Sequence, residues 1–488
     1  MLYTYSTWGL DIARLRLIGQ FLEPQDVERA KLAPRFFYIS RYSLLIPIEN
    51  NKGFDPDFIK KQNRKLKIGI IDADLLDHGT RHPNLALEKI AGFCKELGHD
   101  VRLICSYDEL NLENPFFLAE QDFDVLSLSR VFKFTKIPQS IKMMINAGLM
   151  FYGGTGFLDD FKDDVELLPS LPNEVEHHMP DYTIYDEYIE KQTKGDAKLI
   201  KRDYDDYKSY SIGFTTRGCI RHCGFCVNRN LSHVFEWSPV SEFIDESRPN
   251  IYLWDDNIMA APPKVFKKVM DDLRAVNKPF QFRQGMDIRL MNDQKAELLN
   301  SVKYHGDFIF AFDHYRMDDT KEKRNVEQIL RGLEVWRKHC LKSTKLYVLV
   351  GYDSIDEKDI EGTFWRIKKL MEYGCLPYIM RFEAYNDSRF KSMYIQLARW
   401  CNQPSFFKKM SFRQYCVRNE EYHQGIQHLT PKGVYNTKLI IPKGYKNRDT
   451  YCSCYRTMVA FETEFPDIAK EYFDLRFEEL NPYKISKK

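Results

Sequence analysis

The sequence predicts an α/β fold with two successive series of strands alternating with helices, followed by a helix-rich, irregular C-terminal region. A first series of β-branched runs and helically spaced segments begins near Leu66, and a longer series begins near Tyr210. A stretch rich in proline and charge separates them. The 488 residues, of which 43% are hydrophobic, suffice for several buried cores. We therefore expect two or three domains rather than one.

The first series predicts a Rossmann-like, doubly wound domain over residues 66–165. Helix-like segments such as PNLALEKIAGFCKELG separate four strand-like runs, LKIGIID, VRLICSY, VLSLSRVF and LMFYGGTGF. Strands that alternate with helices imply right-handed crossovers and a parallel sheet. Residues 1–65 precede this domain as an extension with helix-like segments at 11–21 and 23–32, to which no function is assigned.

The second series predicts a partial (β/α)6 barrel over residues 209–403. Residues 166–208, with three prolines after Leu168 and many charges, have the composition of a linker. Six strand-like runs follow, with helical segments between them: YSIGFTT, NIYLWDD, FQFRQG, DFIFAFD, KLYVLVG and PYIMRFE. A parallel sheet of this size usually curls into a full or partial barrel with its chemistry at the carboxyl ends of the strands. Residues 404–488 form the irregular, α-rich C-terminal region.

Composition and charge argue against a strongly charged partner for the molecule as a whole. The 72 basic and 70 acidic side chains leave a formal charge of +2, so no global field favours nucleic acid or membrane. No apolar run is long enough for a membrane span, and the N-terminus has polar and acidic residues where a secretory signal needs an apolar run. We expect a cytoplasmic protein without a membrane partner, whose eleven cysteines are reduced thiols or ligands.

Three cysteines follow the first strand of the second series. The segment TTRGCIRHCGFCVNRN places Cys219, Cys223 and Cys226 in a C-x3-C-x2-C pattern on a loop. Thiolates are soft, anionic ligands for iron, and this spacing lets one loop hold three corners of a cubane while the fourth iron stays open. Glycines allow tight turns in the loop, and its basic side chains offset the negative charge of such a cluster: Gly218, Gly224, Arg217, Arg221, His222 and Arg229.

The segment CIRHCGFC resembles the radical-SAM signature, C-x3-C-x-aromatic-C, with Phe225 as the aromatic residue before the last cysteine. The resemblance implies a radical-SAM core barrel and a 4Fe-4S cluster whose open iron binds S-adenosylmethionine. In that family the reduced cluster cleaves this cofactor to a 5′-deoxyadenosyl radical, which abstracts a hydrogen atom from a substrate. An external electron donor such as flavodoxin or ferredoxin is implied as well. The substrate is left open among small molecules, peptides and RNA.

An alternative interpretation of the same loop is a metal site without catalytic function. Three cysteines and a histidine, such as His222 or His233, satisfy tetrahedral zinc. The protein would then be a zinc- or iron-sulfur-binding interaction or sensor protein. Zinc sites usually consist of two paired ligand motifs, which favours the cluster.

The ends of the other strands carry polar residues that would face the same pocket of a barrel. The radical-SAM resemblance implies that these residues contact S-adenosylmethionine: Asp255, Asp256, Asn257, Gln284, Asp287, Arg289 and Gly351. After the fourth strand, His314 and Tyr315 are candidates for moving protons or orienting substrate. Each of these residue types is also common in loops and at helix caps, so a structural role stays open.

Radical-SAM barrels preceded by a Rossmann-like domain resemble the cobalamin-dependent branch of that family. The glycines of LMFYGGTGF, Gly153, Gly154 and Gly156, are similar to the strand end that approaches the nucleotide tail of the corrin there. The resemblance implies cobalamin-dependent methyl transfer when that cofactor is bound. The segment DADLLDHGTRHPN departs from the cobalt-ligating D-x-H-x-x-G pattern, and a domain that binds no corrin stays an alternative.

Four further cysteines lie in and beside the C-terminal region: Cys401, Cys416, Cys452 and Cys454. They are candidates for an auxiliary metal site, although their intervals are irregular. Isolated cysteines are most often small buried hydrophobes, which is the competing prediction.

Overall fold

The computed structural model of the chain describes residues 45–110, 122–160, 171–228, 231–313, 320–423, 429–430, 433–434 and 451–483. These residues form two compact units. The first unit contains residues 45–213 and 238–251, and the second contains residues 214–237 and those from 252 onward. None of the eleven cysteines, all of which lie in the described ranges, forms a disulfide.

A four-stranded parallel sheet forms the centre of the first unit. Its order is β2-β1-β3-β4, and every neighbouring pair is parallel. The strands are β1 Lys67–Asp72, β2 Asp100–Leu103, β3 Val125–Ser129 and β4 Phe151–Gly153. They coincide with the four runs predicted from the sequence. The α/β class and the parallel pairing are therefore confirmed.

Helices cover both faces of this sheet. The helices are α1 Pro56–Lys60, α2 Ala73–His78, α3 Leu85–Glu96 and α4 Gln139–Asn146. Successive residues of β1 point to opposite faces, so Ile70 packs with Ile90 of α3 while Ile71 packs with Met144 of α4. The strand is apolar on both faces because both faces are buried. The parallel strands thus meet solvent chiefly at their ends.

The segment predicted to be a linker belongs to the packed part of the first unit. Its described portion, residues 171–208, contains helices α5 Asn173–Glu176, α6 Asp186–Thr193, α7 Ala197–Asp203 and α8 Asp205–Ser209. The segment also contains apolar and aromatic residues, which its prolines and charges made easy to overlook in the sequence. Tyr185, Tyr188, Ile189 and Tyr207 join the same hydrophobic cluster as α3. Burial of these large side chains removes much apolar area from water. It therefore favours a packed segment over an extended linker.

The second series of strands is present as predicted. It consists of β5 Tyr210–Gly213, β8 Asn250–Leu253, β9 Phe280–Phe282, β10 Phe308–Ala311, β11 Thr344–Val350 and β12 Leu376–Arg381. Strands β10, β11 and β12 form a parallel sheet in that order, and β5, β8 and β9 form another three-stranded sheet. A parallel bridge between Met286 and Phe310 continues the pairing beyond β9. The remaining strands of the described residues are β6 Thr216–Gly218, β7 Val234–Glu236, β13 Leu429–Thr430 and β14 Gly433–Val434.

Helices follow the strands of the second unit and continue to its C-terminal end. They are α9 Pro263–Val276, α10 Asp293–Asn300, α11 Thr320–His339, α12 Glu357–Glu372, α13 Lys391–Cys401, α14 Pro404–Phe407, α15 Phe412–His423, α16 Ser453–Glu464, α17 Pro466–Tyr472 and α18 Phe477–Leu480. Each of the long helices buries one apolar side; in α11 this side includes Ile329, Leu333 and Trp336. The described C-terminal residues are mainly helical, as expected.

Candidate functional site

The three cysteines lie on a loop that two short strands close. Strand β6, just before Cys219, pairs antiparallel with β7, so the loop leaves and returns at one place. Gly218 makes this closure possible. Its φ is +100°, and a Cβ atom there would lie 2.0 Å from the carbonyl oxygen of His233. Any other residue at this position would separate the two strands. We refer to residues 219–228 as the cysteine loop.

Two carboxylates after β8 hold the segment before the cysteine loop and the loop itself. Asp255 is only 3% exposed and accepts hydrogen bonds from the backbone N and the Oγ1 atoms of Thr215 and Thr216, at 2.6 to 3.2 Å. Asp256 accepts from the N atom of Gly218 at 2.7 Å and from Nδ2 of Asn228 at 2.8 Å. The two carboxylates thus position the loop, and their contact with a cofactor, expected from the resemblance, stays a prediction.

Asn257 contacts the cysteines directly. Its side chain is 5% exposed, and its Nδ2 atom donates a hydrogen bond to the Sγ atom of Cys219 at 3.3 Å. The Oδ1 atom of the same amide is buried and has no hydrogen-bond partner within the described part of the chain. A buried amide oxygen without a donor is costly, and in native structures it usually has a bound group or water as partner. The amide is therefore suited to accept a hydrogen bond from a ligand beside Cys219.

Backbone N–H groups of the loop also point at sulfur. The N–H of Arg221 donates to Cys219 Sγ at 3.3 Å, and the N–H of Asn228 donates to Cys226 Sγ at 3.4 Å. Hydrogen bonds of this kind favour the anionic form of their acceptor. They are also a means by which a protein tunes a cluster held by thiolates. The loop backbone is thus arranged for charged sulfur.

An arginine pair around Asp287 joins the cysteine loop to the segment after β9. Asp287, 6% exposed, accepts from Nε of Arg221 at 2.8 Å and from Nε of Arg289 at 2.7 Å. Burial opposes ionisation of Asp287, but the charges and hydrogen bonds of Arg289 and Arg221 outweigh it and hold its pKa below the ordinary value. Gln284 lies on the same segment and is exposed. Two of the three residues predicted here are therefore engaged with the cysteine loop or its partner.

The segment after β11 packs against the middle of the cysteine loop. The ring of Phe225 meets that of Tyr352 edge to face, with centroids 5.2 Å apart. A Cβ atom on Gly224 would lie 2.2 Å from Oη of Tyr352, so this glycine admits the tyrosine. Gly351 has a φ of +72°, and its N–H donates to Oδ2 of the buried Asp359 at 2.7 Å. Segments that follow β8, β9 and β11 thus converge on the cysteine loop.

The three thiols are half-buried but do not share one centre. Among the side chains that the structure describes, no three of the types His, Cys, Asp and Glu converge closely enough to hold a metal ion. Neither His222 nor His233 therefore completes such a group with the cysteines. Burial, with a contribution from Asp313, raises the pKa of Cys223 to about 11. Each sulfur position depends on its side-chain rotamer, whereas the backbone fixes the place of the loop.

The donor set is nevertheless chemically compatible with an iron-sulfur cluster. Three thiols lie within eight residues of one loop, and N–H donors point at two of them. The buried Oδ1 of Asn257 adds an acceptor beside the first cysteine. A ligand bound next to the cluster would satisfy that oxygen. The match rests on this chemistry, since the sulfur atoms are not grouped around a common point.

Two predicted candidates lie outside the described residues: His314 and Tyr315. The same is true of Arg229 in the cysteine loop region. The preceding residue of the fourth strand end, Asp313, is described, and its Oδ1 accepts from the N–H of Leu349 at 3.3 Å. Asp313 therefore links the ends of β10 and β11.

A cavity of about 180 Å³ borders the cysteine loop on one side. Ile220 of the loop lines it together with Met259, Ala261, Leu290 and Lys295. Nζ of Lys295 donates to the carbonyl oxygens of Met259 and Leu290 at 2.6 and 3.3 Å, and burial lowers the pKa of this amine. The cavity is therefore mainly apolar with a single amine at its wall.

The glycines predicted to approach a corrin approach the chain itself. A Cβ atom on Gly154, whose φ is +104°, would lie 2.4 Å from the carbonyl oxygen of Arg130, and one on Gly156 would lie 2.8 Å from the same oxygen. Only Gly153 has open space around its Cβ position. The close approach that these glycines permit is thus already made by residues 130–132. The conformations of Gly154 and Gly156 are therefore explained by contacts within the chain, while a contact of Gly153 with cobalamin stays a prediction.

Two of the C-terminal cysteines are paired through a hydrogen bond. The Sγ atoms of Cys416 on α15 and Cys454 on α16 lie 3.1 Å apart. Burial, followed by the contact with Cys454, raises the pKa of Cys416. Cys452 precedes α16, and its Sγ accepts from the N–H of Tyr455 at 3.5 Å. Cys401 is fully buried, and burial raises its pKa. Within the described ranges these cysteines belong to the helix packing, and no metal-ligand group forms from them.

Several positioning residues could not be identified from the sequence. Thr215 and Thr216 look like ordinary strand residues, and Asn228 lies beyond the cysteine pattern. Tyr352 directly follows Gly351, which the resemblance implies as a cofactor contact. That position in the sequence is the one indication of its role. Their roles depend on which strand ends meet, and spacing along the chain does not contain that information.

Comparisons with known proteins assign no family. No protein-family model matches the chain, and no curated protein matches its sequence. In the part of the chain that the structure describes, no helix combines the length and the apolar character that a membrane crossing requires. The geometry of the cysteine loop and its surroundings is therefore the basis for the functional conclusion.

Proposed function

We propose that the chain is a radical-SAM enzyme whose Cys219, Cys223 and Cys226 hold a 4Fe-4S cluster. The observation that carries the proposal is the convergence of three strand-end segments on one cysteine loop, with an unpartnered buried amide oxygen next to Cys219. A loop that holds a metal ion only for structure needs no hydrogen-bond acceptor of this kind. A cluster with an open coordination position needs one, because the ligand bound there carries polar groups.

When bound, the cluster would supply the electron that cleaves the carbon-sulfur bond of S-adenosylmethionine. The chain's own residues would orient that cofactor and exclude water. Oδ1 of Asn257 is placed to accept a hydrogen bond from an amino group beside Cys219. The Arg221–Asp287–Arg289 group fixes the loop and brings positive charge next to it. Gln284 and the backbone at Gly351 remain proposed contacts for the ribose and the adenine.

We further propose that β5 and β8 to β12 with their helices form one partial (β/α)6 barrel, preceded by a Rossmann-like domain. Parallel pairing across β10, β11 and β12, and the bridge from Met286 to Phe310, support a continuous series. The sheet order β2-β1-β3-β4 supports a doubly wound first domain. Because Gly154 and Gly156 are used by the chain itself, cobalamin-dependent methyl transfer is not part of the proposal.

Two further features follow from the proposal. The cluster would need an electron donor, and an external one such as flavodoxin or ferredoxin is part of the proposal. Eleven free thiols suit a reducing, cytoplasmic setting. The substrate class stays open.

Anaerobic reconstitution with iron and sulfide tests the cluster. We expect about four iron and four sulfide per chain, with visible absorbance, because the three thiolates complete a cubane. Cys223→Ala should lose this cluster. The matched control is Cys105→Ala, which removes another half-buried thiol in the first unit and should keep it. Tight binding of one colourless zinc ion that iron and sulfide cannot replace would instead support the non-catalytic metal protein.

A further inference from the structure

An exposed apolar loop lies at the carboxyl end of β3 in the first unit. It comprises residues 130–136, and we call it the 130–136 loop. Phe132 is 45% exposed, Phe134 is 70% exposed and Val131 is 40% exposed. Large apolar side chains are seldom grouped on a surface unless something binds there. The loop belongs to the first unit, and the cysteine loop belongs to the second.

A buried carboxylate holds this loop in shape. Asp74, 2% exposed, accepts from the backbone N–H groups of Val131 and Phe132 at 2.7 and 3.0 Å, and from Oγ1 of Thr135 at 2.5 Å. Asp77 accepts from the N–H of Lys136 at 3.0 Å. Four contacts from two acidic side chains of α2 thus fix the backbone on both sides of the aromatic residues. The two phenylalanine rings are therefore held exposed in the folded protein. Little further conformational entropy is lost when a ligand binds them.

The exposed rings form a stack. Phe132 and Phe134 lie nearly parallel, with an angle of 14° and centroids 5.2 Å apart. The ring of His78 packs against both, at 5.9 Å from Phe132 and 5.2 Å from Phe134. Offset-parallel rings that keep much of their surface in solvent are the geometry on which another flat ring can stack. The stack therefore has room for planar groups.

The charge around the stack is positive. Residues 130–142, RVFKFTKIPQSIK, contain four basic and no acidic residues. Lys133 lies between the two phenylalanines in sequence, and Lys133 and Lys136 are exposed. The nearby acids Asp74 and Asp77 are occupied by the loop backbone. Basic side chains interleaved with aromatic rings attract an anionic ligand that also carries flat apolar groups.

We propose that the 130–136 loop and His78 form a binding surface for single-stranded nucleic acid. The bases stack on Phe132, Phe134 and His78, and the phosphates contact Lys133 and Lys136. Single strands fit better than duplex, because bases in a duplex are already stacked on each other. A membrane surface shares the preference for aromatic and basic residues, but it does not need rings ordered face to face by a buried carboxylate. The parallel stack favours the nucleic acid.

Fluorescence anisotropy of the full chain with labelled homopolymers tests the surface. We use oligouridylate and oligothymidylate of about 12 nucleotides, within the usual site size of such surfaces. Phe132→Ala and Phe134→Ala should each weaken binding about five-fold or more, because each removes a stacking ring. Lys133→Glu should weaken binding and reduce the slope of log affinity against log salt by about 1 or more. Phe134→Trp should keep binding and show quenched tryptophan fluorescence when the strand is added.

Matched controls separate this surface from general effects. Leu97→Ala removes an exposed apolar side chain of similar exposure, 42%, elsewhere on the first unit, and Lys198→Glu makes the same charge change on α7. Both should bind like the wild type, and so should Cys223→Ala, because the surface does not depend on the cysteine loop. Equal losses in the controls, unchanged binding in both phenylalanine variants, or binding to anionic vesicles without binding to either oligonucleotide would overturn the proposal.

Discussion

At the residue scale, the two ends of the Asn257 side chain differ in their contacts. One end donates to the sulfur of Cys219, and the other end is a buried oxygen that lacks a partner in the described residues. A side chain kept for stability alone would be replaced at low cost by one without the orphaned oxygen. The arrangement is explained when a hydrogen-bond donor from a ligand completes it.

Asn257→Ala should therefore weaken binding of S-adenosylmethionine to the reconstituted, unreduced protein by about ten-fold or more, the loss expected when a buried hydrogen bond is removed. Iron content should stay close to that of the wild type, because the thiolates are intact. Equilibrium dialysis with the labelled cofactor measures the affinity. Asn386→Ala, on an exposed turn after β12, is the control and should change nothing. Loss of iron in Asn257→Ala would assign the amide to the loop structure instead.

Glu88 in the first unit is a second unusual residue. It is fully buried in α3, and neither carboxylate oxygen has a hydrogen-bond partner in the described residues. Burial raises its pKa well above the ordinary 4.5, against the attraction of Arg248. The folded state therefore favours the protonated acid. The stability that this proton contributes is fully present below the unfolded-state pKa and is lost as pH rises through the raised pKa of the folded state.

Glu88→Gln should remove this pH dependence. The variant should be more stable than the wild type at neutral and alkaline pH, by about 1 to 3 kcal/mol, because the amide, unlike the carboxylate, does not have to take up a proton on folding. Thermal unfolding from pH 4 to 9 measures the difference between the two proteins. Glu190→Gln, on the exposed side of α6, should follow the wild-type curve. Parallel curves for Glu88→Gln and wild type would show that Glu88 is ionised when folded.

At the element scale, the hairpin of β6 and β7 decides whether the cysteines form one loop. Its closure depends on Gly218, where a Cβ atom would collide with the backbone of His233 at 2.0 Å. The carboxylates of Asp255 and Asp256 then fasten the strand before the loop and Asn228, two residues after its last cysteine. The elements around the loop, rather than the cysteines alone, define the site.

Gly218→Ala should abolish cluster incorporation while the remaining sheets fold. The added methyl group combines an unfavourable positive φ with a backbone collision, and together these cost about 3 kcal/mol or more. Iron content after reconstitution and hydrogen exchange of β6 and β7 measure the effect. Gly98→Ala has a similar φ of +86° but open space, so it carries the conformational cost alone and should keep the cluster. Full iron content in Gly218→Ala would show that the loop closes without the hairpin.

At the scale of the whole molecule, the positions of the strands were predictable from the sequence. The contacts between the segments that follow them were not. Runs such as KLYVLVG are apolar, β-branched and bounded by polar residues, which favours strands. Where local composition gave a wrong prediction, tertiary packing determined the structure. The segment around Tyr185 contains prolines and charges nearby, yet its tyrosines join the first core. Likewise, Asp255 is a strand-end acid in the sequence and becomes fully used by Thr215 and Thr216 in the fold.

The candidate site shows the same division. The cysteine pattern and the set of polar strand ends are both visible in the sequence. Which of them touch the loop depends on the distance between strand ends, a property of the folded sheet. Asp287 and Asn257 contact the loop or its sulfur, whereas Gln284 is exposed. The sequence thus supplies the candidate residues, and the fold separates positioning residues from candidate ligand contacts.

Cleavage of S-adenosylmethionine by the reduced, anaerobically reconstituted chain tests the central claim most directly. With dithionite as electron source, we expect 5′-deoxyadenosine and methionine to accumulate, detected by chromatography and mass spectrometry. Cys223→Ala should give none, and Cys105→Ala should give the wild-type amount. Wild-type protein that holds its full complement of iron and sulfide, yet leaves the cofactor intact under these conditions, would contradict the account.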